Sequence, residues 1–266
     1  MRLLPPSTSE NRVVALSICV PGSSTDAPAA STIDVDRLVA MAGSSKLPVT
    51  WGVSPQDMET MYDRLGANRE HHELALLGDA TWLGSNGSRG TMVRVLNAAA
   101  EAGETIGQAP TSLLLSGVPL EADFDLLAKH GINIVGRDVP AAVNAKGSRG
   151  SSRGGSLRTL RFGVWEFPAT IALPRASSRF SLLGGNMHRV IERAGERGEL
   201  VHIAVDGPAL LKNATELRAL ERLMERLATM RQQGRMQVQT LSSIASQLGH
   251  SSDRQSATSI LRSPAA

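Results

Sequence analysis

Several side chains that could act as acids, bases or nucleophiles stand directly after short apolar runs. Cys19 follows Val13–Ile18, and Asp206 follows Leu200–Val205. If these runs are parallel strands of a β/α barrel, their carboxyl ends meet at one face, where such barrels carry their functional groups. We expect the following residues to line a cleft there: Cys19, Asp79, Thr81, Ser116, Glu166 and Asp206. A simpler interpretation is that these residues satisfy backbone groups of the loops.

Two more specific chemistries depend on how the chain folds. Donors for a metal site are available at His71, His72, Glu73, Asp79 and Asp206. Successive residues of a strand face opposite sides, so His71 and His72 should diverge, which argues against such a site. Cys19 would be a nucleophile if a basic neighbour stabilised its thiolate. A small buried cysteine is the simpler prediction, because no histidine or asparagine can be placed beside it by spacing.

A Gly, Ser and Arg-rich stretch forms the one long loop predicted inside the domain, residues 138–157. Its segment from Lys146 to Gly155 offers arginines and backbone amides to a phosphate group. It lacks the Gly-Lys-Ser/Thr sequence and the following helix of a P-loop. The loop is therefore predicted to be mobile and solvated.

The elements that must position these residues follow from hydrophobic patterning. Short apolar runs alternate with longer amphipathic stretches, which is typical of βα units and a parallel sheet. We predict an α/β fold, a distorted (β/α) barrel of about seven parallel strands over residues 13–249. Polar segments at 1–12 and 250–266 are predicted to be flexible tails.

Helix boundaries are predicted from capping signals. Asn213 stands three residues before Glu216, a capping box that should begin a long helix. A second helix is predicted over Thr91–Ala102, ending at Gly103. Leu160–Phe167 is predicted to be a single strand.

Composition limits the partners. The 28 basic and 25 acidic residues give a net charge of only +3, which is too weak a field for a typical nucleic-acid-binding protein. No apolar run approaches the roughly 20 residues needed to cross a membrane. The N-terminal residues lack the apolar core of a signal peptide, and the single cysteine excludes an internal disulfide. We therefore expect a cytoplasmic protein that binds neither nucleic acid nor membranes.

Several stretches in order, over about Val13 to Leu248, resemble the polysaccharide deacetylase (NodB-homology) family. The similarity is clearest at Arg189–Pro208 and Leu220–Leu248, and the His72-Glu73 opening of a family motif is also kept. The resemblance implies a distorted (β/α) barrel, removal of acyl groups from sugars, and a zinc-like metal ion.

The same resemblance implies that the metal site is lost. Positions expected to hold metal ligands are occupied by Val20, Leu77 and Thr81. Valine and leucine have no ligand atom, and threonine would be an unusual zinc ligand. Positions expected to hold catalytic groups, an aspartate base, an arginine and a late histidine, are occupied by Cys19, Leu114 and Asp206. The sequence therefore predicts no cofactor and no confident catalytic residue.

These observations favour a catalytically inactive relative of the deacetylases with a binding or accessory role in carbohydrate metabolism. Its partner would be a carbohydrate or a protein of a glycan pathway, and the oligomeric state is left open. One alternative is a divergent hydrolase that deacetylates an N-acylated sugar with a rebuilt site. Another is a scaffold for protein interactions. Whether Cys19, Asp79, Thr81 and Asp206 converge on one cavity separates these hypotheses.

Overall fold

A computed structural model describes seven parts of the chain: residues 12–20, 32–83, 87–118, 123–138, 157–174, 185–196 and 199–249. The predicted tails lie almost entirely outside the described residues, and so does the loop segment from Lys146 to Gly155. None of the described helices combines the length and the apolar character that crossing a bilayer requires.

Strands and helices alternate along the chain except between residues 134 and 173, where no described α-helix separates the strands. The strands are β1 (Val13–Cys19), β2 (Thr50–Val53), β3 (Glu73–Gly78), β4 (Ser112–Leu115), β5 (Ile134–Arg137), β6 (Arg158–Thr159), β7 (Trp165–Pro168), β8 (Ile171–Leu173), β9 (Val201–Asp206) and β10 (Gln237–Gln239). The helices are α1 (Thr32–Ser45), α2 (Met58–Leu65), α3 (Arg89–Ile106), α4 (Phe124–Lys129), α5 (Gly185–Glu196), α6 (Gly207–Leu211), α7 (Ala214–Gln232) and α8 (241–249). Short 3-10 turns cover Pro55–Asp57, Gly66–His71 and Arg161–Gly163.

The strands form one curled sheet in the order β6-β7-β5-β4-β3-β2-β1-β9-β8, with β10 paired to the start of β1. All pairings are parallel except that of the short β6 with β7. Only Ala169 and Thr170 separate β7 from β8. Ala169 N donates to Arg137 O of β5 and Thr170 N donates to His202 O of β9, both at 2.8 Å. One bent segment therefore joins the two sides of the curled sheet, and the predicted fold class is confirmed.

Two apolar clusters lie on the two faces of this sheet. The larger one packs Val14, Leu16 and Ile18 of β1 against the surrounding helices. The smaller one is formed by Ala15, Cys19, Ala75, Leu77, Leu114, Ile134, Phe167, Leu241, Ile244 and Ala245. Because side chains alternate along a strand, the smaller cluster marks the concave, inner face of the sheet. We call the smaller cluster the inner cluster and the larger one the outer cluster, after the faces of the sheet on which they lie.

Glu73 links α8 to the amino ends of the strands. Its fully buried carboxylate accepts hydrogen bonds from the Thr50 hydroxyl (2.9 Å), the Ser112 hydroxyl and Ser242 N (3.0 Å). Burial raises the pKa of Glu73, and these hydrogen bonds oppose that rise. Leu241 at the start of α8 is completely buried in the inner cluster. Glu73 therefore has a structural role. It lies at the amino end of β3, whereas the predicted cleft residues Asp79 and Thr81 follow the carboxyl end of that strand.

The capping prediction at α7 is confirmed, whereas the predicted end of α3 is wrong. The Asn213 side chain accepts from Thr215 N and Glu216 N at the start of α7. Helix α3 continues past Gly103 to Ile106, and Gly107 with φ 70° ends it. A Cβ at Gly103 would lie 2.8 Å from Ala109 Cα. Gly103 is therefore needed for the close return of the chain and does not stop the helix.

The predicted strand Leu160–Phe167 is interrupted by a turn. Residues Arg161–Gly163 form a 3-10 turn in which Phe162 and Gly163 have φ 57° and 75°. A left-handed backbone cannot continue a strand, so only Trp165–Pro168 pairs with β5. The apolar pattern alone carries no signal for this change of backbone conformation.

Candidate functional site

Cys19 and Asp206 meet at the carboxyl ends of two neighbouring strands. They are register partners at the end of the β1–β9 pair. Cys19 belongs to the inner cluster, and Asp206 follows the same alternation as His202, so both side chains are placed on the inner face. Asp206 Oδ1 accepts from Ala209 N at 3.1 Å and caps α6. Two of the predicted cleft residues are thus brought together at this edge, which we call the barrel mouth.

Asp138 joins them from the opposite side of the mouth. It follows β5, and its Oδ2 accepts from Gly117 N at 2.8 Å. Its Oδ1 is buried and receives no hydrogen bond from the described residues. Burial raises the pKa of Asp138, and the charge of Asp206 raises it further. We call Cys19, Asp138 and Asp206 the mouth cluster.

The mouth cluster disfavours a thiolate. Burial raises the pKa of the Cys19 thiol far above its ordinary value, and the charges of Asp138 and Asp206 add to that rise. A reactive cysteine needs a basic neighbour, whereas this thiol has two acidic ones. The arrangement therefore supports a buried, protonated cysteine instead of a nucleophile.

The positions that the resemblance links to a metal ion do not fit one. Val20 is 8% exposed and packs in the outer cluster, so its side chain is directed away from the mouth cluster. Leu77 belongs to the inner cluster and has no donor atom. The Thr81 hydroxyl donates to Asp79 Oδ1, which also accepts from Thr81 N at 2.8 Å. Within the described ranges, no three His, Cys, Asp or Glu side chains are arranged to hold a metal ion.

The residues considered for a rebuilt metal site are also separated. His71 is exposed, and His72 is buried with its ring centroid 6.0 Å from that of Trp51 in the outer cluster. Glu73 lies at the amino end of β3, whereas Asp79 follows its carboxyl end. His71 and His72 differ in burial, but His71 ends a 3-10 turn and β3 begins at Glu73, so strand alternation is not the reason.

Among the other predicted cleft residues, Glu166 is placed differently from the prediction. It lies between Trp165 and Phe167, which contact the inner cluster, so alternation puts Glu166 on the outer face. There it is completely buried, and it accepts from Arg137 Nη1 at 2.9 Å and from Arg158 Nε. Burial alone would raise the pKa of Glu166, but hydrogen bonds from Arg158 and Arg137 outweigh burial and lower it. Glu166 therefore does not line the mouth.

Asp79 and Thr81 form hydrogen bonds with each other in a local turn after β3. This agrees with the simpler interpretation, in which strand-end polar residues satisfy backbone groups of the loops. Ser116 follows β4, and its backbone N donates to Gly78 O at 3.3 Å. Asp138 was not among the predicted cleft residues, because it was assigned to the start of the long loop. Its position directly after β5 was the available signal, because strand-end residues are the candidates in a barrel.

A buried histidine lies deeper on the inner face. His202 Nε2 is 2.8 Å from the Ser17 hydroxyl, and Nδ1 is 2.9 Å from Phe167 O. The carbonyl can only accept, so Nδ1 carries the proton and Nε2 accepts from Ser17. Burial lowers the pKa of His202 to about 4. This histidine is neutral and has a structural role at neutral pH.

The stability of the protein should therefore fall as the pH falls from about 6.5 to about 4. The unfolded chain takes up a proton on histidine in this range, whereas folded His202 stays neutral. At about 1.4 kcal/mol per pKa unit, His202 accounts for roughly 3 kcal/mol. Chemical denaturation at several pH values should show a smaller decrease in the free energy of unfolding for His202→Asn than for the unmodified chain. The decrease should not vanish, because His72, whose pKa is also lowered to about 4, remains in both proteins. The control His130→Asn, at a partly exposed histidine that affects neither His72 nor His202, should keep the full decrease.

The curled, mostly parallel sheet with helices packed on its outer face is a β/α barrel. Protein-family comparison finds no match for this sequence, and no curated protein is significantly similar to it. Among solved structures, the fold is similar to a protein from Mycobacterium smegmatis assigned as a polysaccharide deacetylase, with TM-score 0.63, 15% identity and 94% of each chain covered.

Two further structures support this comparison. A Pseudomonas aeruginosa PAO1 protein, also assigned as a polysaccharide deacetylase, has TM-score 0.55 and 13% identity, with 89% of this chain and 90% of that chain covered. A 4-alpha-glucanotransferase from Thermococcus litoralis has TM-score 0.62 and 11% identity, with 89% of this chain but 40% of that chain covered. The fold is thus polysaccharide-deacetylase-like. At these identities the likeness concerns the fold alone.

Proposed function

We propose that this protein is a catalytically inactive member of the deacetylase-like barrels that binds carbohydrate at its mouth in an accessory role. The observation that carries the proposal is the mouth cluster. Cys19, Asp138 and Asp206 converge there, while Val20, Leu77 and Thr81 offer no ligand set for a metal ion. A barrel that keeps polar groups at its mouth without hydrolytic metal chemistry is suited to binding.

The two carboxylates supply the recognition chemistry. Asp138 Oδ1 is a buried acceptor without a donor among the described residues, and a buried acceptor gains free energy when a ligand hydroxyl reaches it. Asp206 uses Oδ1 to cap α6, which fixes the direction of its carboxylate. A pair of fixed acceptors at the end of a barrel matches the hydroxyl groups of a sugar.

Metal and activity measurements test the inactive state. The full chain, purified, incubated with zinc or cobalt and then dialysed, should retain only a substoichiometric amount of metal by mass spectrometry. Acetylated chito-oligosaccharides should release no acetate above the level without protein, and chelator should change nothing. Stoichiometric metal together with chelator-sensitive acetate release would overturn the proposal.

Calorimetric titration with chito-oligosaccharides tests the binding role. Asp138→Asn and Asp206→Asn should each weaken binding about tenfold, the effect of about 1.4 kcal/mol lost from one hydrogen bond. Asparagine also caps helices, so Asp206→Asn keeps α6. Asp63 is exposed, and Asp63→Asn is the matched control with unchanged affinity. Equal affinity of all three variants would place the ligand elsewhere.

A metal-independent hydrolase is the second candidate, and one observation favours it. The raised pKa of Asp138 next to Asp206 pairs a carboxyl group that protonates readily with a second carboxyl group, an arrangement used in acid–base catalysis. Acetate release that persists in chelator, and is lost in Asp138→Asn but kept in Asp63→Asn, would replace the first proposal with this one.

A further inference from the structure

An aromatic side chain is displayed to solvent at the tip of the β6–β7 hairpin. Phe162 is 66% exposed, and the only other exposed large hydrophobic residue in the described part of the chain is Val190 at 37%. The backbone of Phe162 is left-handed, with φ 57°. A bulky residue seldom adopts this conformation, and glycine or asparagine would be favoured for folding. Exposure combined with strain makes this ring the candidate for contact with another molecule.

The hairpin that carries Phe162 is held firmly. At its base, the fully buried Glu166 binds both Arg137 and Arg158. Across the turn, Leu160 N donates to Val164 O at 2.7 Å. Helix α4 packs against the turn. A residue at the tip of such a fixed hairpin loses little backbone entropy when it is bound, which favours its use as an anchor at a protein interface.

Two arginines are exposed beside Phe162 among the described residues. Arg158 and Arg161 are exposed beside Phe162, and Arg161 forms no ion pair with any described residue. The acidic residues Asp123 and Asp125, which lie before and within α4, are paired with Arg89. An acidic partner is therefore complementary.

We propose that the Phe162 surface, formed by Arg158, Arg161 and Phe162, docks an acidic segment of a partner protein. An apolar side chain of the partner would cover the ring, and its carboxylates would bind the guanidinium groups. A protein is favoured over an anionic glycan because the ring stands on a protruding turn, whereas small ligands and sugars bind in concave sites. This inference does not depend on the role proposed for the mouth.

The test uses a fluorescently labelled random copolymer of glutamate and tyrosine as an acidic polypeptide probe, with binding to the full chain followed by anisotropy. Phe162→Asn should bind at least about tenfold more weakly, because asparagine keeps the left-handed backbone but removes the ring. Arg161→Glu should show a similar loss. Val190→Asn, at the other exposed apolar residue, is the control and should bind like the unmodified chain.

Two further measurements make the result decisive. Thermal unfolding should show that Phe162→Asn is at least as stable as the unmodified chain, so that a loss of binding is not a loss of folding. Polygalacturonate, matched to the copolymer in charge, should bind more weakly and without dependence on Phe162. The proposal is overturned if the copolymer does not bind, if Phe162→Asn binds it normally, or if polygalacturonate binding is the one that requires Phe162.

Discussion

Replacing Leu114 with arginine, the residue type that the family resemblance places there, should lower the free energy of unfolding by about 4 kcal/mol or prevent folding. Leu114 is 2% exposed and lies in the inner cluster among apolar side chains. A guanidinium at this position would replace an apolar side chain inside that cluster and would have to be desolvated. Urea denaturation followed by circular dichroism measures the loss.

The packing around Leu114 explains why the effect should be large. A Cβ built on Gly52 would lie 2.9 Å from Leu114 Cδ1, and one built on Gly136 would lie 2.6 Å from Leu114 Cδ2. Leu114 therefore fills the space that two glycines leave open. The matched control Leu114→Met keeps the volume and should cost less than about 1.5 kcal/mol. An arginine variant as stable as this control would show that the position is not a packed one.

Replacing Glu73 with alanine should lower the free energy of unfolding by about 4 kcal/mol, because the Thr50 and Ser112 hydroxyls and Ser242 N lose a common buried acceptor. The start of α8 should separate from the amino ends of the strands. Hydrogen exchange at Leu241, whose N donates to the Thr50 hydroxyl at 3.0 Å, should accelerate in the variant.

Two variants separate the role of this carboxylate from the effects of charge and side-chain size. Glu70 is exposed, and Glu70→Ala should change stability by no more than about 0.5 kcal/mol. Glu73→Gln keeps the length of the side chain and one acceptor oxygen, so it should be less destabilising than Glu73→Ala. If all three variants are equally stable, Glu73 does not hold α8.

Local sequence signals predicted a helix boundary correctly where a single side chain caps the helix. The Asn213 cap begins α7 as expected, because its side chain can reach amides only two and three residues away. The end of α3 was predicted wrongly at Gly103, because glycine occurs both at helix ends and where two segments approach closely. Only the fold shows that Ala109 lies against Gly103. The left-handed Phe162 carried no sequence signal at all.

The candidate site was predicted in part. Cys19 and Asp206 meet at the mouth because they end neighbouring parallel strands. Asp138 was missed because it was assigned to the predicted loop of residues 138–157, whereas it directly follows β5, which ends at Arg137. Glu166 was expected to line the cleft but lies on the outer face of the sheet. Side chains alternate between the two faces along a strand, so the face of Glu166 can be assigned only once a neighbour such as Phe167 is known to point inward.

Apolar periodicity is local, so most of the strands and helices could be predicted from short stretches of sequence. The residue types at the strand ends are equally independent of the fold, because no fold can give valine or leucine a ligand atom. The tertiary structure decided which side chains meet. The charge of Asp138 acts on Cys19, and the charge of Asp206 acts on Asp138, although β5 does not pair with β1 or β9. Such convergence depends on the curvature of the whole sheet, which no short stretch of sequence encodes.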